Sequence, residues 1–188
     1  MHGLVSSYAA AGGLVHSAQF VEGILHGEAL SHGKDGSLIQ RANFQDGKLE
    51  GEMLIFIASK LKMRALFKEG KQDGETLFYN SLGAVETKAQ YKNDKLNGMF
   101  SSFGQDSQLL KTSMYRDDLL HGDSVEYFPN GKARVISQYK DGVLHGDVRT
   151  FGEDGRCKQI LHYENGKVVP PSPKSSGQGG NAQTNRKR

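Results

Sequence analysis

The chain has no tryptophan, one cysteine and four prolines in 188 residues. A single cysteine, Cys157, excludes an intrachain disulfide framework and fits a reducing, cytoplasmic setting. Apolar residues make up only 36% of the chain, which is thin for a large central core. No run approaches the ~20 apolar residues of a membrane-spanning helix. The apolar run from Leu4 to Val15 lacks a positive flank and contains Ser, Gly and Tyr, so it does not read as a signal peptide. One-sided charge is also missing. The net charge of +3 comes from the last residues, where Lys174, Arg186, Lys187 and Arg188 stand without an acid. Taking those four from the 24 basic residues leaves 20 against 21 acidic ones, a net of −1. The body therefore has no basic footprint for nucleic acid, and no nucleic-acid partner is expected.

The motifs of phosphate, dinucleotide, zinc-protease, serine-hydrolase and EF-hand calcium sites are all absent. The expectation is a non-enzyme with no cofactor, no metal and no small-molecule substrate.

What the chain does have is glycine, 24 of them, and a period. An aromatic residue recurs at Phe20, Phe44, Phe67, Tyr91, Tyr115, Tyr139 and Tyr163, in steps of 24 residues with one of 23. A glycine stands seven residues after each of the first six: Gly27, Gly51, Gly74, Gly98, Gly122 and Gly146. Gly3 fits the same column. Leucine precedes the glycine by two residues in every unit except one, where Gln72 stands. A fixed period of this kind marks a repeat architecture.

Each unit carries two turn signals. One follows the aromatic, as Asp46-Gly47 or Asp141-Gly142, with Asn93-Asp94 and Asp117-Asp118 as glycine-free versions. The other falls mid-unit, as Asp35-Gly36 or Asn130-Gly131. Such pairs accept the positive φ angles of tight hairpins. The 23-residue unit has Ala58-Ser59-Lys60 at this place, so its hairpin end is expected to be deformed.

Between turns the sequence alternates, as in Leu61-Met63-Ala65-Phe67 with Lys62 and Arg64 interleaved, the pattern of a strand with one apolar face. A small residue precedes most terminal aromatics by two positions: Ala18, Ala42, Ala65, Ala89, Ser113 and Ser137. A second aromatic column, Phe56, Tyr79, Phe103, Tyr127 and Phe151, follows the glycine by five. Both aromatic columns are expected to stack along the concave side.

The predicted fold is all-β: an elongated single-layer antiparallel β-meander over residues 1–169, built of hairpin units of about 24 residues. Strands spaced ~4.8 Å apart make a ribbon roughly 60–70 Å long. Residues 170–188, rich in Pro, Ser, Gly and Gln, read as a disordered basic tail. The chain enters its period in mid-unit, either as a half-unit cap or as one piece of a longer array.

The order Gly-x-Leu-x-Gly, an aromatic, Asn/Asp-Gly, then Tyr-Lys-Asp-Gly resembles the MORN repeat family. Its bacterial variant, the YwqK-type antitoxins, is the most similar form. Tyr139-Lys140-Asp141-Gly142, Leu144-His145-Gly146, Phe151 and Asp154-Gly155 carry the resemblance, which extends over about residues 3–169. It implies an elongated β-ribbon with roles in protein scaffolding, lipid association or toxin neutralisation, and transfers no catalytic residue.

Three groups of side chains are candidates for a site. His2, His26, His121 and His145 share one column with Glu50, Asp73 and Asn97. Neighbouring units stand ~9.6 Å apart, too far for metal bonds of ~2.0–2.1 Å, so these read as turn residues. Cys157 fills a column of leucines and reads as a small buried hydrophobe. A basic stripe of Arg41, Lys62, Arg64, Lys88, Arg134 and Lys158 lies opposite the apolar face and is the candidate for partner binding. The expected function is a protein-interaction module of the antitoxin or immunity type, clamping a protein partner such as a toxin. The alternatives are a membrane-peripheral scaffold on anionic lipid and a regulatory arm of a larger protein. The irregular tiles, Ala58–Lys60, Asn93-Asp94 and Asp117-Asp118, are where a unique site is expected.

Overall fold

The computed structural model describes residues 2–170. Among them are fifteen strands and no helix. The strands are β1 (Gly3–Tyr8), β2 (Leu14–Val21), β3 (Ile24–His32), β4 (Leu38–Gln45), β5 (Lys48–Ile57), β6 (Lys60–Lys68), β7 (Lys71–Tyr79) and β8 (Val85–Lys92). They continue as β9 (Lys95–Phe103), β10 (Leu109–Arg116), β11 (Leu119–Tyr127), β12 (Ala133–Lys140), β13 (Val143–Phe151), β14 (Cys157–Glu164) and β15 (Lys167–Val169). All belong to one open sheet in sequence order, and every neighbouring pair is antiparallel. At a strand spacing of ~4.8 Å the sheet extends roughly 67 Å. The expected meander is the one observed. Of the expected tail only Pro170 is described, outside any strand; the rest lies outside the described residues.

Two turn types alternate along the edges. On one edge the turn holds two residues. Val21 pairs with Ile24, and Glu22 and Gly23 have φ angles of 53° and 83°. Positive φ at both central residues defines the type I′ hairpin, whose twist matches that of the strands. Asn93-Asp94 (50° and 67°) and Asp117-Asp118 (48° and 69°) make the same turn without glycine. On the other edge the loop is longer. Gly33 N–H donates to Ser37 C=O at 2.8 Å and Gly36 N–H to Gly33 C=O at 3.0 Å, with Gly36 at φ 79°. This is the three-residue hairpin, a turn closed by a left-handed residue.

Ala58-Ser59 stands on this second edge but forms a two-residue turn, with φ 48° and 59° and Ile57 paired to Lys60. The 23-residue step is therefore a change of turn type. The expected deformation does not occur, because the two-residue turn pairs Ile57 with Lys60 and the register shift at Ile55/Phe56 is the one the other hairpins of this edge also carry.

The glycine column is a column of bulges. Ser137 pairs with Val148 and Tyr139 with Leu144, so Gln138 alone faces His145, Gly146 and Asp147. Gly146 adopts φ 108°, and a Cβ there would collide with Gln138 Oε1 and lie 3.1 Å from Gln138 Cβ. Backbone angle and crowding both demand glycine.

One row of side chains crosses the strands from β1 to β14. It runs Ala29↔Ala42, Met53↔Ala65, Thr76↔Ala89, Phe100↔Ser113 and Ser124↔Ser137. Its alanines Ala42, Ala65 and Ala89 are the buried hydrophobic residues of the described chain, and Thr76 and Ser113 are the largest fully buried side chains. Larger neighbours on the same face close over these small ones. A single sheet has no second layer, so burial is confined to this seam and each unit packs on its neighbours. The odd Gln72 is explained here. Its Nε2 donates to Thr76 Oγ1 at 2.5 Å and satisfies a hydroxyl that is 0% exposed.

Candidate interaction surface

All seven residues of the terminal aromatic column, Phe20, Phe44, Phe67, Tyr91, Tyr115, Tyr139 and Tyr163, are half-buried. They lie on the face of the small-residue seam, two residues beyond it. Each from Phe44 to Tyr163 pairs with a bulge glycine of the preceding strand: Gly27, Gly51, Gly74, Gly98, Gly122 or Gly146. Tyr115 meets Phe100 edge to face, with ring centroids 6.0 Å apart, a favoured aromatic geometry. Burial, with a smaller contribution from Asp118, holds the Tyr91 phenol above its ordinary pKa. These two columns are structural.

The second aromatic column does not join them. Tyr127 OH lies 3.2 Å from Thr112 Oγ1, and Thr112 alternates with the seam residue Ser113. Tyr79 lines a cavity with Lys62. The second column therefore shares the face of the basic stripe. An odd offset in the sequence, Met53 to Phe56 or Thr76 to Tyr79, already placed it there.

The basic stripe is largely neutralised. Arg41 and Arg64 converge on Glu52, and Arg41 also reaches Glu28 at 3.7 Å. Lys88 pairs with Glu75, and Arg134 with Glu126 at 2.6 Å. The Glu52 hydrogen bond raises the Arg64 pKa further. Lys62 and Lys158 have no ion pair among the described residues. The sequence showed the cations; their acids come from adjacent strands, at register positions the sequence does not display.

Part of the histidine column, with its acidic column-mates, serves the turns. His121 Nδ1 stands 3.2 Å from Asp141 Oδ1 and 3.4 Å from Asp141 N, at the next tight turn. Glu50 accepts from Glu69 N–H at 2.8 Å in the same way, and Asp73 from Asn93 N–H at 3.3 Å. Among the described residues no group of three or more His, Cys, Asp or Glu could hold a metal ion. Cys157 is exposed, not buried as its column predicted. It begins β14, whose outer neighbour β15 pairs only with His162, Tyr163 and Glu164, so nothing among the described residues covers it from that side.

On the basic face, a notch of about 450 Å³ opens at the longer-loop edge, lined by Lys62, Tyr79, Asn80, Leu82, Glu86 and Phe103 among others. It lies beside the shortened turn, since Lys60 Nζ donates to Ser81 C=O at 3.0 Å.

No curated protein matches the chain. A solved structure described as the crystal structure of the GtfA/B complex bound to UDP and GlcNAc aligns with a TM-score of 0.29 and 8% identity. The alignment covers 60% of this chain and 22% of that chain, a likeness too low to bear on fold or function. A family model gives a match within the sheet: residues 120–141, from β11 to the first residue of the tight turn after β12, match the MORN repeat variant.

Proposed function

We propose that this chain is a MORN-type repeat ribbon whose work is to bind another protein along an extended β face, with no catalytic centre of its own. The observation that carries this reading is the open fifteen-strand sheet whose buried apolar residues are three alanines. Both faces meet solvent along its length, and large apolar side chains such as Leu82 and Met99 stand 77% and 52% exposed. Such a surface suits recognition of an extended partner.

Within that reading we place the chain in the antitoxin or immunity class, acting in the cytoplasm on a toxin partner. The similarity to the bacterial repeat variant supports this finer assignment. The lipid-scaffold alternative rests on the basic stripe and on the basic tail; ion pairing of Arg41, Arg64, Lys88 and Arg134 leaves the stripe little free charge, and the tail's cations lie outside the described residues.

Co-expression with the product of the adjacent gene tests both levels. A stable complex supports the interaction role, and rescue of growth from that product's toxicity supports the immunity role. No complex and no rescue would sink the toxin partner. Flotation with anionic vesicles separates the lipid alternative, which requires salt-sensitive binding.

A further inference from the structure

Three of the longer hairpin loops share an internal device. Asp35 Oδ1 accepts from Ser37 N–H at 3.1 Å, Asn130 Oδ1 from Lys132 N–H at 3.0 Å and Asp154 Oδ1 from Arg156 N–H at 2.9 Å. In each case the middle loop residue, just before the left-handed glycine, ties the loop through its side chain. Ala11 takes that middle place in the β1–β2 loop and offers no side-chain acceptor, and Leu82 takes it in the loop between β7 and β8. The tie is moved two residues back: Asn80 Oδ1 accepts from Leu82 N–H at 2.9 Å and from Ala84 N–H at 3.0 Å. The loop keeps its shape, and Leu82 is released into solvent at 77% exposure, the highest among the exposed large hydrophobics.

Three further departures coincide there. The neighbouring turn, Ala58-Ser59, is one residue short, and Lys60 just after it holds Ser81 C=O. The notch of about 450 Å³ opens under Leu82 and against the ring of Tyr79. Lys62 on β6 and Glu86 on β8 flank that ring, and among the described residues neither has an ion pair, while Arg41, Arg64 and Lys88 on the same face are all paired. Strands β6 and β8 are two strand spacings apart, ~9.6 Å. An extended chain covers that distance in about three residues at ~3.3 Å each.

We propose that Leu82, Tyr79, Lys62 and Glu86 form the anchoring site of a protein partner. The occupant is an extended segment with a large apolar side chain in the notch, a carboxylate on Lys62 and a basic residue about three positions away on Glu86. A central apolar anchor with charges around it is the usual anatomy of a binding hot spot. The proposal rests on the interaction reading above and locates it.

A displayed library of random 16-residue peptides, panned against the full-length chain, tests it. The expected consensus is an acidic and a basic residue about three apart around a large apolar one. A synthetic peptide of that consensus is expected to lose at least tenfold in affinity on Leu82→Ser. The double variant Lys62→Glu with Glu86→Lys is expected to select the reversed charge order, a readout that loss of folding cannot produce. Ile160→Ser, at a far apolar position that is 58% exposed, is expected to leave binding unchanged. Selected peptides without the charge pattern, or binding unaffected by Leu82→Ser, would overturn the site. Peptides that bind elsewhere on the ribbon would overturn it too, while leaving the interaction reading intact.

Discussion

Asp94 and Gln72 hold each other twice. The Asp94 N–H donates to Gln72 C=O at 2.9 Å, and Asp94 Oδ1 accepts from the Gln72 N–H at 2.7 Å. Asp118 and Leu96 repeat the pair at 3.0 and 2.8 Å. In units with glycine at this place only the first bond exists, as between Gly142 N and Leu120 O at 2.8 Å. The two glycine-free tiles, candidates for a unique site on sequence grounds, are stitched to the preceding turn. Aspartate accepts a left-handed backbone for the sake of one more bond between units.

Asp94→Ala is therefore expected to cost about 1–2 kcal/mol, since it keeps the φ of 67° and loses the second bond. Asp94→Gly relieves the backbone while losing the same bond, and its stability is expected to stay within about 0.5 kcal/mol of the parent. Urea unfolding of the two variants decides. A cost for Asp94→Gly as large as for Asp94→Ala would show that strain plays no part.

Gly146→Ala is expected to destabilise by about 1–3 kcal/mol, because φ 108° and the contact with Gln138 both reject a Cβ. Adding Gln138→Ala removes the clash with Oε1, keeps the Cβ contact and the backbone strain, and gives up the bond from Asp147 N–H to Gln138 Oε1, so the double variant should recover at most part of the loss in the same measurement.

The Gln72–Thr76 bond predicts coupling between the two sites. Gln72→Leu alone strands a fully buried hydroxyl, at a cost of about 1–3 kcal/mol. Gln72→Leu with Thr76→Ala restores the leucine and small residue seen in the first unit, Leu25 and Ala29, and is expected to be milder than the two single changes added. A double-mutant cycle that closes additively would refute the coupling.

Two surface carboxylates set an acid limit. The Arg116 hydrogen bond, with help from His121, holds Asp141 below its ordinary pKa of 3.8. His162 and then Arg149 do the same for Asp147. A carboxylate depressed in the folded state contributes stability above its unfolded value and loses it as pH falls through the folded one. Carboxyl-carbon NMR titration is expected to show both midpoints below 3.8. Arg116→Ala should move Asp141 upward and leave Asp147 where it was. An unmoved Asp141 would remove the assigned cause.

The amino-acid sequence by itself determined the period, the strands and the tight turns. Those features are local: alternation sets which way a side chain points, and paired Asn, Asp and Gly residues set the sign of φ. It also determined that Gly27 through Gly146 stand at one recurring backbone position. Only the tertiary structure decided what depends on strand register. It gave Arg41 and Arg64 the common partner Glu52 and set Gln72 on Thr76. It also turned Asp94 and Asp118 into ties between units and left Cys157 uncovered near the end of the sheet. Each of these joins residues on different strands or at the two sides of a bulge. A bulge shifts which residues oppose one another without marking the linear text beyond a glycine. Leu82 shows both halves together. The sequence puts a leucine where other loops have an acid or amide, and the structure shows the loop tied through Asn80 instead.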